Sequence, residues 1–77
     1  MAVQAYVFIE CEHGHPRDVY EAVAKIGGVK DVRIVTGPYD VIAMVAASSF
    51  KVLGDVVISK IQAVDYVRNT LTNVIIE

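Results

Sequence analysis

Residues 29–47 read VKDVRIVTGPYDVIAMVAA, and this stretch decides the fold. In its first part the pattern alternates: Val32 and Ile34 fall on one face of an extended chain, Asp31 and Arg33 on the other. Charges on a strand discourage stray pairing, so residues 29–36 suit a sheet edge. Gly37 and Pro38 make a tight corner, and residues 39–47 return as the most apolar strand of the chain. A hairpin therefore sits at the centre of the sequence.

The flanks of this hairpin mirror each other. Before it, Val19, Ala22, Val23 and Ile26 recur at helical spacing, with Pro16 suited to the first helical position and Asp18 in the first turn. Gly27 and Gly28 stop that helix. Residues 3–10 precede it as a β-branched, aromatic strand. Val3, Ala5, Val7, Ile9 and Cys11 share one face of that strand; Gln4, Tyr6, Phe8, Glu10 and Glu12 share the other. After the hairpin, Ser48 or Ser49 caps a second helix whose buried stripe is Phe50, Leu53, Val57 and Ile61, slightly weakened by Gly54. Residues 64–76 form the last strand.

The order is thus βαββαβ. Lys25, Ile26, Val29, Val32 and Arg33 recur in the spacing of Lys60, Ile61, Val64, Val67 and Arg68, as a duplicated βαβ unit would produce. Right-handed crossovers turn this order into an α+β, ferredoxin-like sandwich: a four-stranded antiparallel sheet with two helices on one face. Strands one and three are expected at its centre, and parallel to each other. The second sheet face stays bare while carrying large apolar residues, which marks an association surface.

Composition agrees. Hydrophobic residues make up 55% of the 77, whereas a chain this short buries only about 60% of the surface its unfolded form exposes. Some apolar surface is expected to be covered by other copies. Cys11 is the only cysteine, which excludes a disulfide framework and suits a reducing cytoplasm. Seven Lys and Arg against nine Asp and Glu give a net charge of -2, unsuited to direct DNA binding. The N-terminus lacks the basic segment of a signal peptide. The longest apolar run, Val41–Ala47, is far short of the roughly 20 residues that span a membrane. One cytoplasmic domain over residues 1–77 is the expectation.

Two places could carry chemistry. Cys11, His13 and His15 alternate, yet their spacing matches no standard zinc motif, and Gly14 and Pro16 interrupt the strand. Asp18 or Glu12 could orient a Cys/His pair, but nothing in the spacing selects either. The residues read as a buried thiol and two loop histidines; no metal, cofactor or catalytic residue is expected. The turn Thr36-Gly37-Pro38-Tyr39-Asp40 exceeds the needs of a corner. A carboxylate heading an apolar strand is costly unless exposed or paired. Asp40, the turn's backbone N–H groups and the Tyr39 hydroxyl could hold the ammonium and carboxylate of a small zwitterion. Thr70 and Thr72 share a face of the last strand with Tyr66 and Arg68, which matters if that face meets the Gly37 turn of another chain.

The segment Thr36 to Asp40, set between strands of this order, resembles the Thr-Gly-x-Tyr-Asp turn of the C-terminal effector (RAM) domain of Lrp/AsnC transcription regulators. Ala5-Tyr6-Val7, Gly28-Val29, residues 40–45 and Thr70-Leu71-Thr72 also match, so the resemblance spans essentially the whole chain. It implies a dimer with sheets packed face to face, like a dimeric α/β barrel, and further assembly into rings, often octamers. It also implies an amino-acid effector at the seam between dimers. Gly37 and Asp40 would contact its polar ends, Tyr39 would shape the pocket, and Thr70 and Thr72 would approach from a neighbouring subunit. Pro38 removes one backbone donor. Full-length members begin with a helix-turn-helix domain for which this sequence has no residues, so it resembles the stand-alone form. The implied function is an amino-acid-binding and oligomerisation module that modulates transcription of amino-acid metabolism genes by mixed assembly with full-length regulators. Two alternatives stay open: a structural oligomerisation module without ligand, and a small dimeric ferredoxin-like enzyme.

Overall fold

The computed structural model describes residues 2–77; Met1 lies outside them. Its elements are β1 (Val3–Cys11), α1 (Pro16–Ala24), β2 (Val29–Ile34), β3 (Val41–Ala47), α2 (Phe50–Val52), α3 (Ser59–Gln62) and β4 (Val67–Val74), with a π-helical segment, Leu53–Ile58, joining α2 to α3. The sheet order is β2-β3-β1-β4. The ferredoxin-like arrangement is as expected, with β1 and β3 central and β2 at an edge.

One expectation about the centre is corrected: β1 and β3 pair antiparallel, with Val7 opposite Ala43 and Ile9 opposite Val41. The reason lies in the connections. The crossover through α1 leaves β2 parallel to β1, and the hairpin then reverses the chain, so β3 must oppose β1. The strands are also shorter at the turns than expected. β2 ends at Ile34 and β3 starts at Val41, because residues 35–40 are spent on the corner.

One face of the sheet builds the core. Ala5, Val7, Ile9 and Cys11 of β1 and Val41, Ala43 and Val45 of β3 are buried against Val19 and Val23 of α1 and Leu53, Val57 and Ile61 of the second helical stretch. Each fully buried valine or isoleucine contributes about 1.5–3 kcal/mol. Ser49 caps α2, its hydroxyl accepting from Val52 N at 3.1 Å. Phe50, expected in the buried stripe, is 68% exposed. The stripe recurs every four residues through Leu53, Val57 and Ile61, so one step back falls on Ser49. An α-helix turns every 3.6 residues and would drift away from that spacing; the wider π turn follows it.

The two helix exits are alike, but three residues out of step with the echo read from the sequence. Val29 N donates to Ile26 O, and Val67 N to Val64 O (3.2 and 3.3 Å). Gly28 is thus matched by Tyr66, and both hold positive φ (97° and 75°). Each carbonyl is taken at or just past a central strand: Gly28 O accepts from Ala46 N of β3, and Tyr66 O from Glu12 N, the residue after β1 (2.8 and 2.7 Å). The start of β4 moves to Val67 for the same reason, since the exit turn occupies residues 63–66.

Gly28 needs to be glycine. A Cβ there would sit 2.8 Å from a Val57 methyl and 3.0 Å from Ala46 O, on a backbone that already disfavours side chains. Gly28→Ala is expected to lower stability by about 2 kcal/mol or more in chemical denaturation. Gly27→Ala, where a Cβ meets open space, should stay within about 0.5 kcal/mol.

Candidate functional site

The turn after β2 meets the end of β1. The β1–β3 ladder has its last pair at Ile9 and Val41. Beyond it, Asp40 N donates to Ile9 O (2.9 Å) and Asp40 O accepts from Val35 N (2.9 Å). The next inward N–H of β1 belongs to Cys11, and β3 has no residue left to receive it. The Asp40 side chain takes that place, Oδ2 accepting from Cys11 N at 2.8 Å. A charge-assisted bond of this kind offsets the cost of a half-buried carboxylate at the head of an apolar strand. Among the described residues no donor reaches Oδ1.

The neighbouring turn residues point elsewhere. Gly37 is held at φ +116° with open space around it, so glycine serves the backbone and not a close contact. Tyr39 lies over the open sheet face, its ring 5.7 Å from that of Phe8 and tilted by 39°. Ile42 and Leu71 flank Phe8 in the register.

Gly37, Tyr39 and Asp40 thus share one corner, whereas Thr70 and Thr72 lie across β1 from it. Thr70 is opposite Ile9 and Thr72 opposite Val7, so both stand on the helix-covered side. Val41 and Thr70 flank the same β1 residue, about 10 Å apart across two strand spacings. Thr70 Oγ1 accepts from Gln62 Nε2 at 3.1 Å. A groove of about 230 Å³ at this place is lined by Gln62, Val67, Arg68, Asn69 and Thr70, with no turn residue. One chain therefore holds two separate parts of the expected site. The expectation that Tyr66 and Arg68 alternate onto the face of Thr70 fails for Tyr66, while Arg68 still lines the groove beside Thr70. Glu10 pairs with Asn69 but Cys11 with Val67, so Arg68 is a bulge that resets the alternation.

The second cluster resolves into separate contacts. Burial, and then the charge of Asp40, push the Cys11 thiol up from 9.0 to about 11. It is a poor nucleophile or ligand at neutral pH. His15 stacks on Tyr66, rings 3.7 Å apart and 3° from parallel, and its Nδ1 lies 2.9 Å from Asp18 Oδ2. This stack was not legible in the sequence, because it needs Tyr66 at a positive φ. It helps offset the roughly 1–3 kcal/mol that such a backbone costs a side-chain-bearing residue. Among the described residues no three His, Cys, Asp or Glu side chains are placed to hold a metal ion. No helix among them is long and apolar enough to cross a membrane.

Comparison with known proteins points one way. The family described as the Lrp/AsnC ligand binding domain matches residues 4–77. An uncharacterised HTH-type transcriptional regulator of Pyrococcus abyssi is 40% identical over 58 residues, covering 75% of this chain and 39% of the regulator. The chain thus spans about two-fifths of the length of such relatives. The crystal structure of TTHA0845 from Thermus thermophilus superimposes with a TM-score of 0.89 at 32% identity, covering 97% of this chain and 94% of that one. The feast or famine regulatory protein of M. tuberculosis, complexed with L-methionine, shares the fold (TM-score 0.82, 24% identity, 97% and 50% covered).

The link between Asp40 and Cys11 gives a chemical readout. At pH 8 only about one thiol in a thousand is ionised at a pKa near 11, so alkylation by iodoacetamide should be far slower than in the unfolded chain. Asp40→Asn removes the charge that disfavours the thiolate and should speed alkylation of the folded chain. The sign for stability follows: the unfolded thiol ionises first, so stability is full below pH 9 and falls as pH rises toward 11. A denaturation series from pH 8 to 11 checks this.

Proposed function

The chain belongs to the Lrp/AsnC ligand-binding domain family, and from that premise we propose that it is a cytoplasmic sensing module that binds an amino acid between copies of itself. Asp40 carries the reading. Its carboxylate is fixed by the Cys11 N–H through Oδ2, with Oδ1 left to receive a ligand's ammonium. Gly37 supplies the exposed backbone of the turn and Tyr39 the adjoining wall. Thr70 and Thr72 approach from a neighbouring copy, which would explain why one chain keeps them on the far side of β1. The methionine complex of the tuberculosis protein supports an amino acid as the ligand class.

Assembly comes from the open sheet face. Tyr6, Phe8, Ile42, Met44 and Leu71 form its middle, and Tyr6 and Leu71 are nearly half exposed. Packing two such faces gives the dimer, and dimers meeting at the turns give the ring, with an octamer as the expected form. The relatives are transcription regulators, which supports a non-enzymatic role: the module influences full-length regulators by mixed assembly and does not itself bind DNA. For an amino acid to shift that assembly it must bind one state better than another.

A structural module without ligand is the second reading, favoured by two observations. Cys11 N already occupies one oxygen of Asp40, and Pro38 offers no N–H in the turn. A thermal-unfolding panel against the twenty amino acids separates the two. A ligand at a hundred times its dissociation constant adds about 2.7 kcal/mol. A clear rise in Tm with one or a few related amino acids, lost in Asp40→Asn, is the expected result. Asn can keep the bond to Cys11 N, so this variant tests the charge and not the fold. A flat panel on a folded oligomer would select the structural reading.

A further inference from the structure

We propose that the groove between α3 and the edge strand β4 holds a carboxylate, with Arg68 as its charge partner. In the assembly this carboxylate is the acid end of the amino acid whose ammonium meets Asp40 of another copy. The inference rests on the reading in which Thr70 approaches the ligand from a neighbouring copy. The bulge in β4 places Arg68. Cys11 pairs with Val67 and Glu10 with Asn69, so Val67 and Arg68 together oppose Cys11, whose side chain belongs to the core. Arg68 therefore lines the groove with Val67 and Thr70, and α3 supplies Gln62 to the same place.

The groups that converge there are donors. Among the described residues no carboxylate lies within ion-pair distance of Arg68, and none lines the groove. Gln62 Nε2 gives one hydrogen to Thr70 Oγ1 at 3.1 Å and keeps a second. That bond leaves the Thr70 hydroxyl free to donate its own hydrogen. Asn69 Oδ1, an acceptor that would compete, is taken by Thr70 N at 3.0 Å. A guanidinium fork gives a carboxylate two parallel N–H bonds, and the remaining lone pairs suit an amide N–H and a hydroxyl. At about 230 Å³ the groove is smaller than the pockets of about 300–1,000 Å³ that enclose whole ligands, so it takes one end of a molecule. Asp40 is left to take the other. The turn that carries Asp40 lacks a backbone donor at Pro38, which is why the acid end needs donors from elsewhere. The ligand class is thus an amino acid with a free carboxylate, and not its amide or the corresponding amine.

An NMR titration of the full chain with acetate reads the groove by itself, because the Gln62 side-chain amide and the Arg68 Nε–H report from within it. Saturable shifts of both signals, without comparable shifts at exposed Arg17 and Arg33, are the expected result. Acetamide and inorganic phosphate should bind roughly tenfold more weakly, and Arg68→Gln should abolish the Gln62 response. Arg68 is exposed, and an unchanged backbone spectrum of the free variant confirms its fold. No saturable shift at Gln62, an equal response to acetamide or phosphate, or a response that survives Arg68→Gln would overturn the carboxylate site. The thermal panel then reads the ligand at pH 6, where the amine of an amino-acid amide is still protonated. Any amino acid that raises Tm should lose its effect as the amide, and in Arg68→Gln. A rise that survives both changes would overturn the role of Arg68 while leaving the Asp40 reading intact. A flat panel beside clear acetate shifts would overturn the amino-acid ligand and leave the carboxylate site standing.

Discussion

A four-stranded sheet has two faces, and this chain supplies helix for only one. α1 and the stretch from α2 to α3 bury Val7, Ile9, Ala43 and Val45 completely. The same strands present Tyr6, Phe8, Ile42 and Met44 on the other side, where no helix among the described residues lies. Alternation along a strand makes this unavoidable: a central strand rich in apolar residues at every position serves two layers or leaves one open. Exposed Tyr6 and Leu71 are the consequence, and self-association is the simplest way to satisfy it. The remaining features, from the charged β2 edge to the position of the turn, follow from which layer each residue is assigned to.

Asp40 connects this architecture to a site. It lies where the β1–β3 ladder runs out, and it completes the ladder with its own side chain. The carboxylate is therefore a fixed part of the sheet end, with the aromatic pair of Phe8 and Tyr39 beside it on the open face. Any molecule that engages Asp40 meets the end of β1, a strand whose one face is core and whose other face carries exposed Tyr6. In the proposed function, ligand and assembly would lie within one strand of each other, which would be the physical basis for coupling them.

The fold was largely legible because its signals are local. The two faces of β1, Pro16 at the start of α1, the Ser49 cap and the apolar return strand each follow from a few adjacent residue types. The antiparallel pairing of β1 and β3 was also contained in the order of connections, although parallel pairing was expected. What sequence could not convey depends on register. The bulge at Arg68 breaks the alternation between Tyr66 and Thr70, and the positive φ of Tyr66 makes the stack on His15 possible. The π turn shifts Phe50 out of the buried stripe. The turn itself was legible from residue type, because a carboxylate before an apolar strand needs a reason. Its bond to Cys11 N was not, since it exists only where the ladder happens to end.

Sedimentation equilibrium, across micromolar concentrations, tests most directly whether the open face is an association surface. The 8.4 kDa chain should sediment as a dimer or a multiple of it. A Tyr6→Glu, Leu71→Glu double variant, altered only at residues exposed in the single chain, should sediment as a folded monomer. A wild-type chain that stays monomeric throughout, or a double variant that assembles unchanged, would contradict it.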